Sequence, residues 1–135
     1  MTRLDSSELV SFSRKYVFAG GRLRRVLVRQ GKGTRVELRL SVKAAVQGLG
    51  DAAKRVNLRL VFDGVEEYRF QRRPLAGGGR IPDARFGLFD GVIYLNLDAF
   101  GLNPGERPGL PEFRASDAFV AGDCMSWEEL PSTRP

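Results

Sequence analysis

No histidine occurs anywhere in the 135 residues, and this absence closes off more chemistry than any other feature of the chain. Without an imidazole to take a proton near neutral pH, Ser-His-Asp and Cys-His nucleophilic systems cannot be assembled. Cysteine occurs once, at Cys124, so no intrachain disulfide can form and a Cys/His zinc site has too few ligands. A single thiol suits a reducing, cytoplasmic compartment. No apolar run approaches the roughly 18 residues that a membrane-crossing helix needs, so no membrane partner is expected. The opening Met1-Thr2-Arg3-Leu4-Asp5 leads into no apolar signal segment, and export by that route is not expected. What remains open is a carboxylate-only magnesium or calcium site, a glycosidase-like carboxylate pair, or a lysine nucleophile.

What is present is ordinary globular material. Apolar residues make up 42% and charged residues 28%, and nine Phe, three Tyr and one Trp supply bulky core side chains. The length fits a single domain over residues 1–135, large enough to hold together by its own core. The net charge of +6 is unevenly spread. Residues 1–73 carry 17 Lys+Arg against 7 Asp+Glu, a net of +10, whereas residues 74–135 carry 5 against 9, a net of −4. Such asymmetry fits a basic surface for an anionic partner, two halves that neutralise each other on folding, or the arginine usage of a GC-rich genome.

Patterning assigns the fold class. Asp5 and Glu8 form a capping-box pair ahead of Leu9, Val10 and Phe12, which predicts a short helix over 5–14 with those three side chains buried. From Arg22 the period becomes two. Strands are expected over 22–30 and 36–42, joined by the glycine turn at 30–34, and over 56–62. A connection over 43–54, with a helical turn at Ala44–Gln47, separates the last two. Asp63-Gly64 and Asp90-Gly91 each stand between alternating runs and predict type I′ hairpins. Residues 72–82 and 101–111 are rich in Gly and Pro and read as loops. Residues 113–130 read as two strands around Gly122-Asp123, with 131–135 a frayed tail. The expectation is a mainly β (α+β) domain: a short N-terminal helix, then about eight antiparallel strands in a barrel or two-layer sandwich.

The candidate motifs are weak when tested against their chemistry. Ala76-Gly77-Gly78-Gly79-Arg80 lacks the Gly-Lys-Ser/Thr ending of a phosphate loop, and Gly31-Lys32-Gly33-Thr34 fails in the same way; both read as strand connections. Glu66-Glu67 and Glu128-Glu129 point to opposite faces of an extended strand and cannot act as pairs. Asn96-Leu97-Asp98 lacks the third ligand, the glycine and the distal Glu of a calcium loop. Ser41 and Lys43 share a face, but no flanking burial would lower the lysine pKa. A lone Cys124 is more often a small buried residue than a reactive thiol. No catalytic residue, cofactor or metal site is assigned.

The feature with functional content is a basic face. If Val36, Leu38, Leu40, Val56, Leu58 and Leu60 point inward, Arg39 and Arg59 point outward, with Arg25, Arg29 and Arg69 as candidate neighbours. An arginine-lined sheet can track a phosphate backbone, but Tyr68 and Phe70 alternate with Arg69, which puts aromatics and arginines on opposite faces and disfavours base stacking.

Gly21-Arg22-Leu23-Arg24-Arg25-Val26, the alternating strands 36–42 and 56–62, and the ending Ser116–Phe119 through Cys124–Glu129 together resemble small bacterial immunity-type domains, the neutralising partners of secreted polymorphic toxins. The resemblance covers most of the chain as a layout, without a diagnostic motif, and implies a domain that binds a protein and does no chemistry. The reading is a non-enzymatic, cytoplasmic bacterial domain that binds another protein. Nucleic-acid binding through the arginine face and a carboxylate-only enzyme stay open as alternatives, and nothing in the residues sets the oligomeric state.

Overall fold

The computed structural model describes residues 1–44, 54–70, 79–98, 109–116 and 118–131. The chain opens with a short strand β1 (Thr2–Leu4), a 3₁₀ turn (Ser6–Glu8) and helix α1 (Leu9–Lys15). The Glu8 carboxylate accepts from the Asp5 amide at 3.1 Å, which starts the turn as the capping pair predicts. Leu9 and Phe12 are buried, but Val10 is 60% exposed, because its position on so short a helix points away from the sheet. The remaining strands are β2 (Tyr16–Gly31), β3 (Gly33–Ala44), β4 (Lys54–Phe70), β5 (Arg85–Phe89), β6 (Val92–Asn96) and β7 (Ala118–Leu130), with a one-turn helix α2 (Leu110–Arg114) before the last.

The fold is mainly β, a single antiparallel sheet of seven strands, six of them in the order β2-β3-β4-β7-β6-β5 and β1 paired off this path with β7. Strand β7 is its spine. One edge pairs with β4 from Ala118 to Leu130, and the other pairs with β6 over Phe119–Gly122 and with β1 over Met125–Trp127.

The sheet is not closed into a barrel but folds over on itself, and two glycines at adjacent levels of the β4–β7 ladder, Gly64 and Gly122, explain how. A Cβ on Gly122 would lie 2.9 Å from the Asp63 carbonyl oxygen, and one on Gly64 would lie 2.6 Å from an Asp123 carboxylate oxygen. A ladder irregularity between Val65 and Glu67 falls at the same level. The long strands β4 and β7 therefore bend together there, which brings the far ends of the sheet face to face. The rings of Phe18 on β2 and Phe86 on β5, from opposite ends of the strand order, meet edge to face at 5.6 Å. Leu38, Leu40, Leu58 and Leu60 from one layer then share a single buried core with Ile93, Leu95 and Val120 from the other.

This bend corrects two expectations. Asp63-Gly64 is not a hairpin turn: β4 runs through it, Gly64 alone takes positive φ (58°), and Asp63 does not. Asp90-Gly91 has positive φ at both residues (51° and 78°) and is the type I′ turn joining β5 to β6. Gly122-Asp123 likewise lies inside one continuous strand rather than between two. Among the described residues, seven strands therefore stand where about eight were expected.

Other boundaries also move. Strand β2 begins at Tyr16, well before Arg22, and residues 110–114, placed in a loop and a strand by pattern, form α2. Within the expected loop 72–82, Gly79–Ile81 is bonded to the edge of β2: the Leu23 amide donates to the Gly79 carbonyl at 2.9 Å and the Ile81 amide to that of Gly21 at 2.8 Å. The helical turn over 44–47, all but Ala44, and most of both predicted loops lie outside the described residues.

A second, smaller cluster sits on the outside of the β6–β7 layer, where Phe113 of α2 packs with Tyr94, Phe119 and Phe89. Gly87 makes room for it, since a Cβ there would lie 2.8 Å from the Phe113 ring.

Candidate functional site

Strand register defines what shares the outer face of the other layer. Arg25 on β2 lies opposite Arg39 on β3, Arg39 opposite Arg59 on β4, and Arg59 opposite Glu128 on β7, so one row crosses four strands. The neighbouring row reads Leu27, Glu37, Val61 and Ser126, with Arg3 of β1 beside Ser126. One step further, Arg29 lies opposite Arg35, whose Nε donates to Asp63 at 2.7 Å. In the other direction Ser41 lies opposite Asn57 and Asn57 opposite Leu130. Four of the five arginines singled out by pattern, Arg25, Arg29, Arg39 and Arg59, thus occupy one face, because inward leucines and valines fix the parity of each strand.

Arg69 does not belong with them. It lies beyond the bend, on the outside of the other layer, where its Nη1 donates to the carbonyls of Arg114 (3.1 Å) and Ser116 (3.4 Å) and its guanidinium lies 5.9 Å from the Phe119 ring centre. It fastens the end of α2. Pattern put a hairpin at residues 63–64; β4 instead runs through the bend there and carries Arg69, still on the outer side, onto the other layer.

Three arginines across adjacent strands would repel one another, since directly opposed side chains sit only about 5 Å apart at Cβ. Glu37, in the next row, answers this. Its Oε1 accepts from Arg59 Nε at 2.9 Å and Nη2 at 2.6 Å, and its Oε2 from Arg39 Nε at 3.2 Å. Arg59 Nη1 reaches Glu128 at 3.0 Å, and the N-terminal amino group lies 3.9 Å from the other oxygen of Glu128.

Glu37 is 8% exposed, the one buried carboxylate among the described residues. The hydrogen bonds from Arg59 hold it below the usual carboxylate range, against the opposing effect of burial, with Arg39 adding to the lowering. The same contact with Glu37, then Glu128, raises Arg59. The result is a clamped arginine pair whose orientation is set before anything binds. Glu37 was legible in the strand 36–42 as a residue in phase with Arg39. Glu128 was not, because its place depends on the pairing of β4 with β7, 69 positions apart in sequence.

Two depressions open on this face. One, of about 280 Å³, is bordered by Arg24, Arg39, Asn57, Leu130 and Pro131 and floored by Leu40 and Leu58. The other, of about 400 Å³, lies at the β2–β3 turn among Arg29, Lys32, Arg35 and Asp63.

The remaining motifs are accounted for locally. Ser41 Oγ accepts from Arg55 at 3.1 Å, while Lys43 is exposed, so this pair holds no desolvated lysine. Asn96 Oδ1 accepts from the Asp98 amide and from Ser116 Oγ, both at 2.7 Å, and ties the end of β6 to the chain entering β7. Glu67 binds Arg114 and accepts from Tyr94 Oη at 3.1 Å; burial first, then this bond, raises the tyrosine. Among the described residues, no group of three or more Cys, Asp or Glu is placed to hold a metal ion, and no helix is long and apolar enough to cross a membrane. Comparison of the chain with known protein families, with curated proteins and with solved structures found no match.

Proposed function

We propose that the chain is a non-enzymatic binding domain that recognises an acidic surface of another protein through the outer face of β2, β3 and β4. The observation that supports this most is the row Arg25–Arg39–Arg59 with Glu37 clamped behind it. A preset guanidinium pair meets carboxylates with little ordering cost, and a basic face steers an acidic partner toward productive encounter. The rows that form the face carry no aromatic ring among the described residues, so nothing there would stack a base, which favours protein over single-stranded nucleic acid. The likeness of layout to immunity-type domains leads to the same kind of partner and to the bacterial cytoplasm.

The test is affinity capture from host lysate, with and without nuclease, comparing the native chain with an Arg25→Glu/Arg39→Glu variant. A protein retained after nuclease and lost on charge reversal is the expected result. Its association should slow steeply with added salt. Equal capture by the variant would remove this face from the interface. Recovery of nucleic acid, with accompanying proteins lost after nuclease, would replace the protein partner with a phosphate backbone.

A further inference from the structure

The depression bordered by Arg24, Arg39, Asn57, Leu130 and Pro131 differs from the rest of the basic face in having an apolar component. Leu130 is the last residue of β7, on its outer side opposite Asn57, and is only half-buried although it is a leucine in a paired strand. Pro131 extends the same apolar wall. At about 280 Å³ the hollow has room for one large side chain and is smaller than sites that enclose a whole cofactor.

Its rim is cationic on the β2–β3 side. Arg24, at the ladder irregularity between Leu23 and Arg25, is exposed and makes no ion pair among the described residues. Arg39 gives Nε to Glu37, which orients the outer edge of its guanidinium along the face. Glu128, on β7 across the same face, is already engaged by Arg59 and the N-terminal amino group.

We infer that this hollow is an anchoring subsite for a segment of the partner protein that sets an apolar side chain immediately beside a carboxylate. The apolar part covers Leu130 and Pro131, and the carboxylate meets Arg24 and the outer edge of Arg39. A phosphate alone would leave the apolar wall uncovered. An apolar group alone would leave two guanidiniums to be desolvated without a partner. Interface energy concentrates in such places, where an anchor enters a hollow and its charged neighbour is satisfied at the rim. The inference rests on the proposed protein-binding reading and gives it an address.

The probe is N-acetyl-L-phenylalanine, a carboxylate next to one aromatic side chain, titrated into the isotope-labelled full chain and followed by NMR. Saturable shifts are expected at the Leu130 methyls and the Asn57 side-chain amide. The neutral N-acetyl-L-phenylalaninamide should bind at least about tenfold more weakly, the loss of one charge-assisted hydrogen bond. Acetate should produce no saturable shift. Arg24→Gln and Leu130→Ala, both at exposed or half-buried surface positions, should each abolish saturation while leaving the rest of the spectrum in place.

Equal binding of the acid and the amide, shifts centred elsewhere, or no saturable shift would overturn the subsite. Capture of a protein partner by a chain that ignores the probe would refute the subsite alone. Probe binding that depends on Arg24 and Leu130, without any protein captured, would retain the subsite and refute the wider reading.

Discussion

Replacing Glu37 by glutamine keeps the shape of the side chain and removes its charge, which isolates what the carboxylate does on the basic face. In the native chain this nearly buried group accepts three hydrogen bonds from two guanidiniums. Arg59 retains Glu128 in the variant, but Arg39 loses its one carboxylate and faces Arg25 and Arg59 without compensation. Fully exposed pairs contribute about 0.2–1 kcal/mol and fully buried ones cost about 3–5 kcal/mol when broken. Glu37 lies between, with its side chain 11% exposed against 28% for Arg59, so the expected loss at pH 7 is about 1–3 kcal/mol.

The pH dependence has a definite sign. The carboxylate is held below its ordinary value in the fold, so its contribution is present above the unfolded value of about 4.3 and fades as pH falls through the lowered folded value. Urea unfolding of both chains should therefore show a stability gap at pH 7 that narrows below about pH 4. A variant as stable as the native chain at pH 7, or a gap unchanged at low pH, would refute the claim that Glu37 offsets the arginine row.

The bend and the outer cluster give two further expectations. Gly122→Val should cost more than about 3 kcal/mol in urea unfolding, since its Cβ would meet the Asp63 carbonyl oxygen at 2.9 Å and the Phe62 Cβ at 3.2 Å. Gly91→Ala should cost only about 1 kcal/mol, because that turn glycine has positive φ but nothing within 4 Å; similar losses at the two sites would refute the bend as a close-packed feature. Phe113→Ala, which empties the cluster over Gly87 and Tyr94, should lose about 3 kcal/mol by the same assay, and a loss below about 1 kcal/mol would show that α2 is not docked through that ring.

How much was legible follows from the range of the interactions involved. The alternation Val36–Val42 and Val56–Phe62 is a local signal, and it marked both the strands and the inward faces on which the arginine row depends. The capping pair Asp5/Glu8 and the Asp90-Gly91 turn are local too, and both stand in the structure as their spacing indicates. Asp63-Gly64 carries the same two residues as Asp90-Gly91, yet one is a bend within a strand and the other a reversal. The difference lies in the neighbour: β7 runs on past the first, with Gly122 opposite Val65, and no strand continues past the second.

Sequence by itself thus determined a histidine-free, mainly antiparallel β domain with a short N-terminal helix, and the parity that puts Arg25, Arg29, Arg39 and Arg59 outward. Tertiary structure alone decided where the sheet folds over, that Arg69 falls on the far side of that fold, and that Glu128 closes the arginine row. Parity along a strand depends on adjacent residues and can be read from them. The partner across a ladder is set by the packing of the whole core, which no window of the chain contains.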